Sequence, residues 1–254
     1  MDRVAIVTTG SGAPAPIANA LMATYPNHHV YLDDPEPKSV FLRRRARKIG
    51  WLATAHQFPV MVLGKFAKRW ADKRYAQLEA TYGVSFTLAK TGHQTAIGSA
   101  NSQTFIDALA AFQPDIVCLV GARMLNRNTL AQIDCPIVNF HGGINPAYRG
   151  LNGGYWSIAN HDRANYGTTM HYVDAGVDTG ATIAQARFTP NPSDSILTHQ
   201  HALTAQSVPM VLEAVQSVLS GEKPAVSAVD LPSKQWFHPG LAGYLWRGIR
   251  HGHW

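Results

Sequence analysis

Residues 3–8, RVAIVT, form an apolar run that passes through TTGSGAP directly into the helix-like stretch PIANALMATY. A short buried strand, a glycine turn and a helix in that order begin an open α/β sheet, in which crossover helices force neighbouring strands to run parallel. The alternation returns along the chain. HHVYLDD (28–34) reads as a second strand and VSFTLAK (84–90) as a third. PDIVCLVG is a buried-strand run, with Ile116, Val117, Leu119 and Val120 ending at Gly121. Helical spacing predicts a helix over about 64–82, and another in SQTFIDALAAF capped by Asn101 or Ser102. The expected fold is therefore α/β, an open, twisted, mostly parallel sheet with helices on both faces and a small C-terminal extension. Gly10 and Gly12 stop short of G-x-G-x-x-G, because position 15 is Ala and two prolines follow, which argues against a dinucleotide site. The turn Gly10-Ser11-Gly12 still leads into a helix N-terminus, where a phosphate can bind.

The segment 35–64 is the least typical. Leu42, Ala46, Ile49 and Ala53 fall at helical spacing with Arg43, Arg44, Arg45, Arg47 and Lys48 crowded around them. A basic amphipathic helix is expected, followed by an apolar segment broken at Pro59. A solvated face, an anionic acceptor, or peripheral contact of residues 40–53 with a membrane surface would each suit it. A long amphipathic helix bent at Pro209 is expected from about 195, and the end from Leu231 to Trp254 is aromatic and basic. The organisation expected is one unit: residues 1–206 with the 35–64 insertion, and 207–254 as a helix and extension of the same domain. The net charge of +6 favours an anionic partner without choosing among phosphosugar, nucleotide, polyglutamylated folate or nucleic acid. No run of about 18 apolar residues predicts a membrane span. The N-terminus enters a strand at once, unlike a signal peptide. Cys118 and Cys135, lacking metal-ligand spacing, read as buried free thiols of a cytoplasmic protein.

The chemistry concentrates between Ile137 and Asp178. In IVNFHGGINPAYRG, residues two apart on a strand share a face, so Asn139 and His141 project together while Phe140 turns to the core. An amide donor beside an imidazole, joined by Asp178 from the loop closing MHYVDAGVDTG, suits a reaction that passes through an oxyanion. Acyl transfer is the class it suggests. Thr169 and His171, two apart on a later strand, are expected to face the same site and orient water or Asp178. Arg149 is expected to position a loop, a carboxylate or a phosphate. A metal-dependent amide hydrolase using His141, His171 and Asp178 is a rival, but H-E-x-x-H or a comparable ligand spacing is missing, and no metal is expected.

The ordered set N-x-H, a G/P-rich turn, Y-R-G at 148–150, G-T-T-x-H and V-D-T-G resembles the 10-formyltetrahydrofolate-dependent formyltransferases. That family includes glycinamide ribonucleotide, methionyl-tRNA and sugar N-formyltransferases and related hydrolases. The resemblance covers roughly 114–188. It departs after the His, where Gly142-Gly143-Ile144-Asn145-Pro146 replaces the usual serine-leucine-leucine-proline turn. It implies Asn139, His141 and Asp178 as catalytic residues and 10-formyltetrahydrofolate as co-substrate. Arg123, Met124, Leu125, Gly176 and Val177 would line the folate. Gly10, Ser11, Gly12, Tyr148, Arg149, Thr169 and His171 would serve the acceptor. Only about 35 residues follow the long helix, short of the further domain carried by tRNA-directed members, so a small anionic amine is expected rather than nucleic acid. An amino sugar attached to a nucleotide fits best. Glycinamide ribonucleotide, another small amine, or water in a hydrolase are the alternatives, and a homodimer is compatible with each.

Overall fold

The computed structural model describes residues 2–62, 67–222 and 230–254. Residues 63–64 of the insertion, the start of the 64–82 helix and residues 223–229 of the C-terminal part lie outside the described residues. The order is β1 (Val4–Thr8), α1 (Ala15–Thr24), β2 (His28–Leu32), α2 (Lys38–Ile49), α3 (Trp51–Val62), α4 (Lys68–Tyr82), β3 (Gln94–Ala96) and α5 (Gln103–Phe112). Then come β4 (Ile116–Val120), α6 (Arg127–Leu130), β5 (Ile137–His141), β6 (Arg149–Gly150), α7 (Gly153–Ala159) and β7 (Gly167–Tyr172). The chain ends with β8 (Thr182–Arg187), α8 (His199–Leu219), β9 (Gln235–Trp236) and α9 (Leu241–His251).

The main sheet runs β3-β2-β1-β4-β5-β7-β8. It is parallel from β3 through β5, and β7 and β8 are antiparallel. Period-two alternation assigns its faces. Val4, Ile6, Cys118, Val120, Val138 and Phe140 pack on one side against Ile17 and Leu21 of α1 and Val211 and Val215 of α8. Ala5, Val7, Val117, Leu119 and Ile137 pack on the other against Phe105 and Leu109 of α5. Strands that supply both faces with apolar side chains read as unbroken hydrophobic runs, as β1 and β4 do. Strand order reverses between β1 and β4, and a crevice at the carboxyl ends of such strands is where an open α/β sheet binds its ligands.

Three expectations are corrected. VSFTLAK is not a strand; its backbone N–H groups are taken by Glu79 (to Phe86), Ser11 (to Leu88) and Asn19 (to Ala89), and the third strand is Gln94–Ala96. The insertion is two helices, because Gly50 ends α2 at a φ of +86° that a side chain would oppose. Ala53 consequently lies on an exposed face of α3, with Thr54 and Val60 buried instead. Pro59 does not break that segment; it sits inside α3 on an exposed face, where the hydrogen bond it cannot make is open to water. α8 runs without interruption from His199 to Leu219, with Pro209 inside it.

Ser102, not Asn101, caps α5, its Oγ accepting from Phe105 N at 3.2 Å. Ser102→Ala is expected to cost about 1 kcal/mol of unfolding free energy, measured by urea denaturation; an unchanged midpoint would remove the cap from the account.

Candidate functional site

The short pairing of β6 with β9 brings the C-terminal segment back across the sheet's carboxyl edge. Trp236 Nε1 donates to Ala147 O at 2.8 Å, Trp156 Nε1 donates to Phe237 O at 2.7 Å, and the two indoles stack with centroids 4.5 Å apart. Val60 of α3 and Tyr244 of α9 join this cluster, so insertion and tail pack on one another. Between them and the sheet edge lies a cavity of about 560 Å³. Its wall includes Leu119, Asn139, His171 and Asp178 from the sheet side, with Phe41 and Phe237 from the insertion and tail. The tail's aromatic residues carry no periodic signal in the sequence. Crowding of cations in 43–48 was the one hint that the insertion serves a site.

Asn139 and His141 reach this edge from β5 as the i, i+2 rule requires. The antiparallel register then sets His171 opposite Asn139. Asn139 Nδ2 lies 3.1 Å from His171 Nε2 and 3.5 Å from Asp178 Oδ1. His171 Nδ1 is 2.7 Å from the carbonyl of Tyr172, which can only accept, so the ring's proton belongs on Nδ1 and Nε2 is free to accept from the amide. Asp178 also receives the Gly150 N–H at 2.8 Å and has His171 Nε2 at 3.4 Å and His141 Nδ1 at 3.5 Å. Burial opposes its charge, but the neighbouring His141 and the Gly150 donor outweigh it and hold the carboxyl at about 2, below the ordinary 3.8. His141 is not among the residues lining the cavity. Its Nε2 donates to Tyr148 O at 2.7 Å and its other nitrogen faces Asp178, through which it meets the site.

The loop that delivers Asp178 is built around a different acid. Asp174 Oδ1 accepts from Gly176 N at 2.9 Å and Thr179 Oγ1 at 2.7 Å, which closes the turn and leaves the Asp178 carboxylate unspent on it. A Cβ at Gly180 would lie 1.8 Å from Tyr172 O, so the last residue of V-D-T-G is fixed by close backbone approach.

All five residues expected at the folate, Arg123, Met124, Leu125, Gly176 and Val177, line the cavity. Arg123 does so as scaffold: its guanidinium pairs with Asp33 at 2.7 Å and donates to Ser99 Oγ and the carbonyls of Asp34 and Gly98. Of the expected acceptor residues only His171 lines it. Gly10, Ser11 and Gly12 do not, although the adjoining Thr9 does; Ser11 and Gly12 hold the 84–89 segment. Arg149 clamps the site loop through Val177 O at 2.8 Å. Tyr148 is buried, with its hydroxyl on Asp162 at 2.8 Å. Thr169 ties Gly143 O to Asn145 N, so it braces the turn after His141 rather than orienting Asp178. Asn152, at the N-terminus of α7, spends its side-chain amide on His238 Nδ1 at 3.0 Å rather than on the helix backbone.

A family model described as Formyl transferase matches residues 55–215. The chain is 28% identical over 141 residues to GDP-perosamine N-formyltransferase of Brucella melitensis biotype 1, covering 55% of this chain and 54% of that protein. It is 28% identical over 118 residues to methionyl-tRNA formyltransferase of Desulfotalea psychrophila, covering 46% of this chain and 36% of that one. It thus spans about half or less of the length of these curated relatives. Phosphoribosylglycinamide formyltransferase of Streptococcus pneumoniae TIGR4 shares the fold, with a TM-score of 0.53 at 20% identity over 86% of this chain and 99% of that one. More than half of the sequence, including the whole stretch from β5 to the Asp178 loop, falls inside the matched span, and the chain belongs to the formyl transferase family.

Proposed function

We propose that this chain transfers a formyl group from 10-formyltetrahydrofolate to the primary amine of a small anionic molecule, an amino sugar linked to a nucleotide being the acceptor that fits best. One observation carries the reading: Asn139 and Asp178 meet 3.5 Å apart at the wall of a cavity large enough for a folate ring system. Leu119, Leu125, Val173 and Val177 give that wall the apolar surface a flat pterin would cover. When bound, the co-substrate supplies an electrophilic formyl carbonyl. Asn139 offers an N–H to the oxygen on which charge develops, with its other amide proton fixed by His171. Asp178, ionised and held by Gly150 N–H and His141, takes up a proton from the attacking amine directly or through water and returns it to N10 as the bond between N10 and the formyl carbon breaks, which releases tetrahydrofolate. His141 acts on Asp178 rather than on the substrate. A relative named for GDP-perosamine supports the sugar nucleotide as acceptor class.

The test is to incubate the purified chain with 10-formyltetrahydrofolate and a panel of amines, following tetrahydrofolate and formate separately. Tetrahydrofolate with formylated amine and no formate is expected. Formate released without any amine would make the chain a hydrolase, and no tetrahydrofolate with any amine or with water would overturn the reading.

A further inference from the structure

Arg45 is 6% exposed, yet no carboxylate among the described residues pairs with it. Its Nη1 donates to the neutral Gln57 Oε1 at 2.9 Å, and its guanidinium lies against the rings of Phe41 and Phe237, 4.9 and 4.5 Å from their centroids. Lys48, one turn away on α2, donates to Gln235 Oε1 at 2.6 Å and lies 5.5 Å from the Phe237 centroid. Both side chains line the cavity. Of the acids on that part of the wall, Glu36 pairs with Arg44 at 2.9 Å and Asp33 with Arg123 at 2.7 Å, while Asp34 lines the cavity without an ion pair to Arg45. Burial, with Arg44 adding repulsion, pulls the Arg45 pKa below its ordinary value. A guanidinium withdrawn from water without a counter-charge is costly, and an anion of a ligand would offset that cost.

We infer that Arg45 and Lys48, held by Phe237 of the C-terminal segment, form an anion subsite at the insertion side of the cavity, which takes a phosphate or carboxylate of a substrate. The inference rests on the formyl-transfer reading for the identity of that substrate. Two sources share the chemistry: the phosphates of a nucleotide-linked acceptor and the glutamate carboxylates of the folate. The planar fork of Arg45 suits either anion bidentately, and the aromatic rings beside it provide a surface for a base or an aminobenzoyl ring. The basic helix therefore has a function inside the site, and the tail's folding back is what completes it.

The experiment is calorimetric titration of the whole chain with pyrophosphate and, separately, with 4-aminobenzoyl-L-glutamate, using wild type, Arg45→Met, Lys48→Met and Asn139→Ala. At least one probe is expected to bind wild type, and its affinity to fall about ten- to hundredfold in each cation variant, as for loss of a charge-assisted contact. Pyrophosphate as the tighter probe assigns the subsite to the acceptor; the aminobenzoyl compound assigns it to the folate tail. Asn139→Ala should bind the probe as wild type does although it transfers almost no formyl group, whereas a wild type that binds the anion but forms no formylated amine would sink the transfer reading and leave the subsite standing. Should Arg45→Met not fold, Lys48→Met decides. Binding of neither probe to wild type, or unchanged affinity in the cation variants, overturns the inference.

Discussion

Asp178→Asn is expected to lower turnover about a hundredfold or more, in the range found when a group stabilising charge at the reacting centre is removed. The amide keeps the size of the side chain and can still accept from Gly150 N–H, but it can take no proton from an incoming amine and presents no charge to His141. Stability should respond too, in a defined pH window. The folded-state carboxyl sits at about 2 against an ordinary 3.8. A folded pKa below the unfolded one contributes stability that is complete above about pH 4 and vanishes as pH falls through 2. For a side chain 15% exposed, that contribution is roughly 2–3 kcal/mol. Urea unfolding of wild type and Asp178→Asn should therefore differ most at neutral pH and converge toward pH 2. Asp178 should also add no inflection to the rate profile between pH 5 and 9. Turnover within threefold of wild type, or a stability difference constant from pH 7 to 3, would discard the carboxylate's role.

What could be read from the sequence was what local geometry dictates. Val4–Val7 and Ile116–Val120 are apolar at every position and bounded by turns, so they had few alternatives to buried strands. Asn139 and His141 were paired by the two-residue period alone. VSFTLAK has a strand's composition too, but Ser11, Asn19 and Glu79 claim its N–H groups, and no local pattern announces a competitor tens of residues away. His171 could be placed on the right strand but not opposite Asn139, since register across an antiparallel pair is a tertiary fact. The division of labour between Asp174 and Asp178 was equally hidden: both precede small residues, and only the fold shows which one closes the turn. Least legible was the lid of the site, which depends on two-residue strands at 149–150 and 235–236 meeting across more than eighty residues.

Asn139→Ala is expected to reduce kcat about a hundred- to a thousandfold with KM changed little, because an oxyanion donor acts on charge that appears only in the transition state. The half-buried side chain lies at the cavity wall, so its loss should leave the fold intact. The same geometry makes a second demand, on His171. An isolated amide can present either its oxygen or its nitrogen to the substrate. Here His171, with Nδ1 committed to Tyr172 O, leaves Nε2 to accept, and that bond turns the nitrogen of Asn139 toward the site. The second amide proton, only weakly engaged by Asp178 at 3.5 Å, is then the one an oxyanion can capture. His171→Phe should therefore slow the wild-type enzyme about tenfold, as loss of an orienting partner does, yet slow Asn139→Ala hardly at all. Residues that act as one unit give such non-additive cycles. If the phenylalanine exacts the same factor in both backgrounds, the histidine works on something other than the amide, and the donor assigned to Asn139 loses the support that fixes its direction.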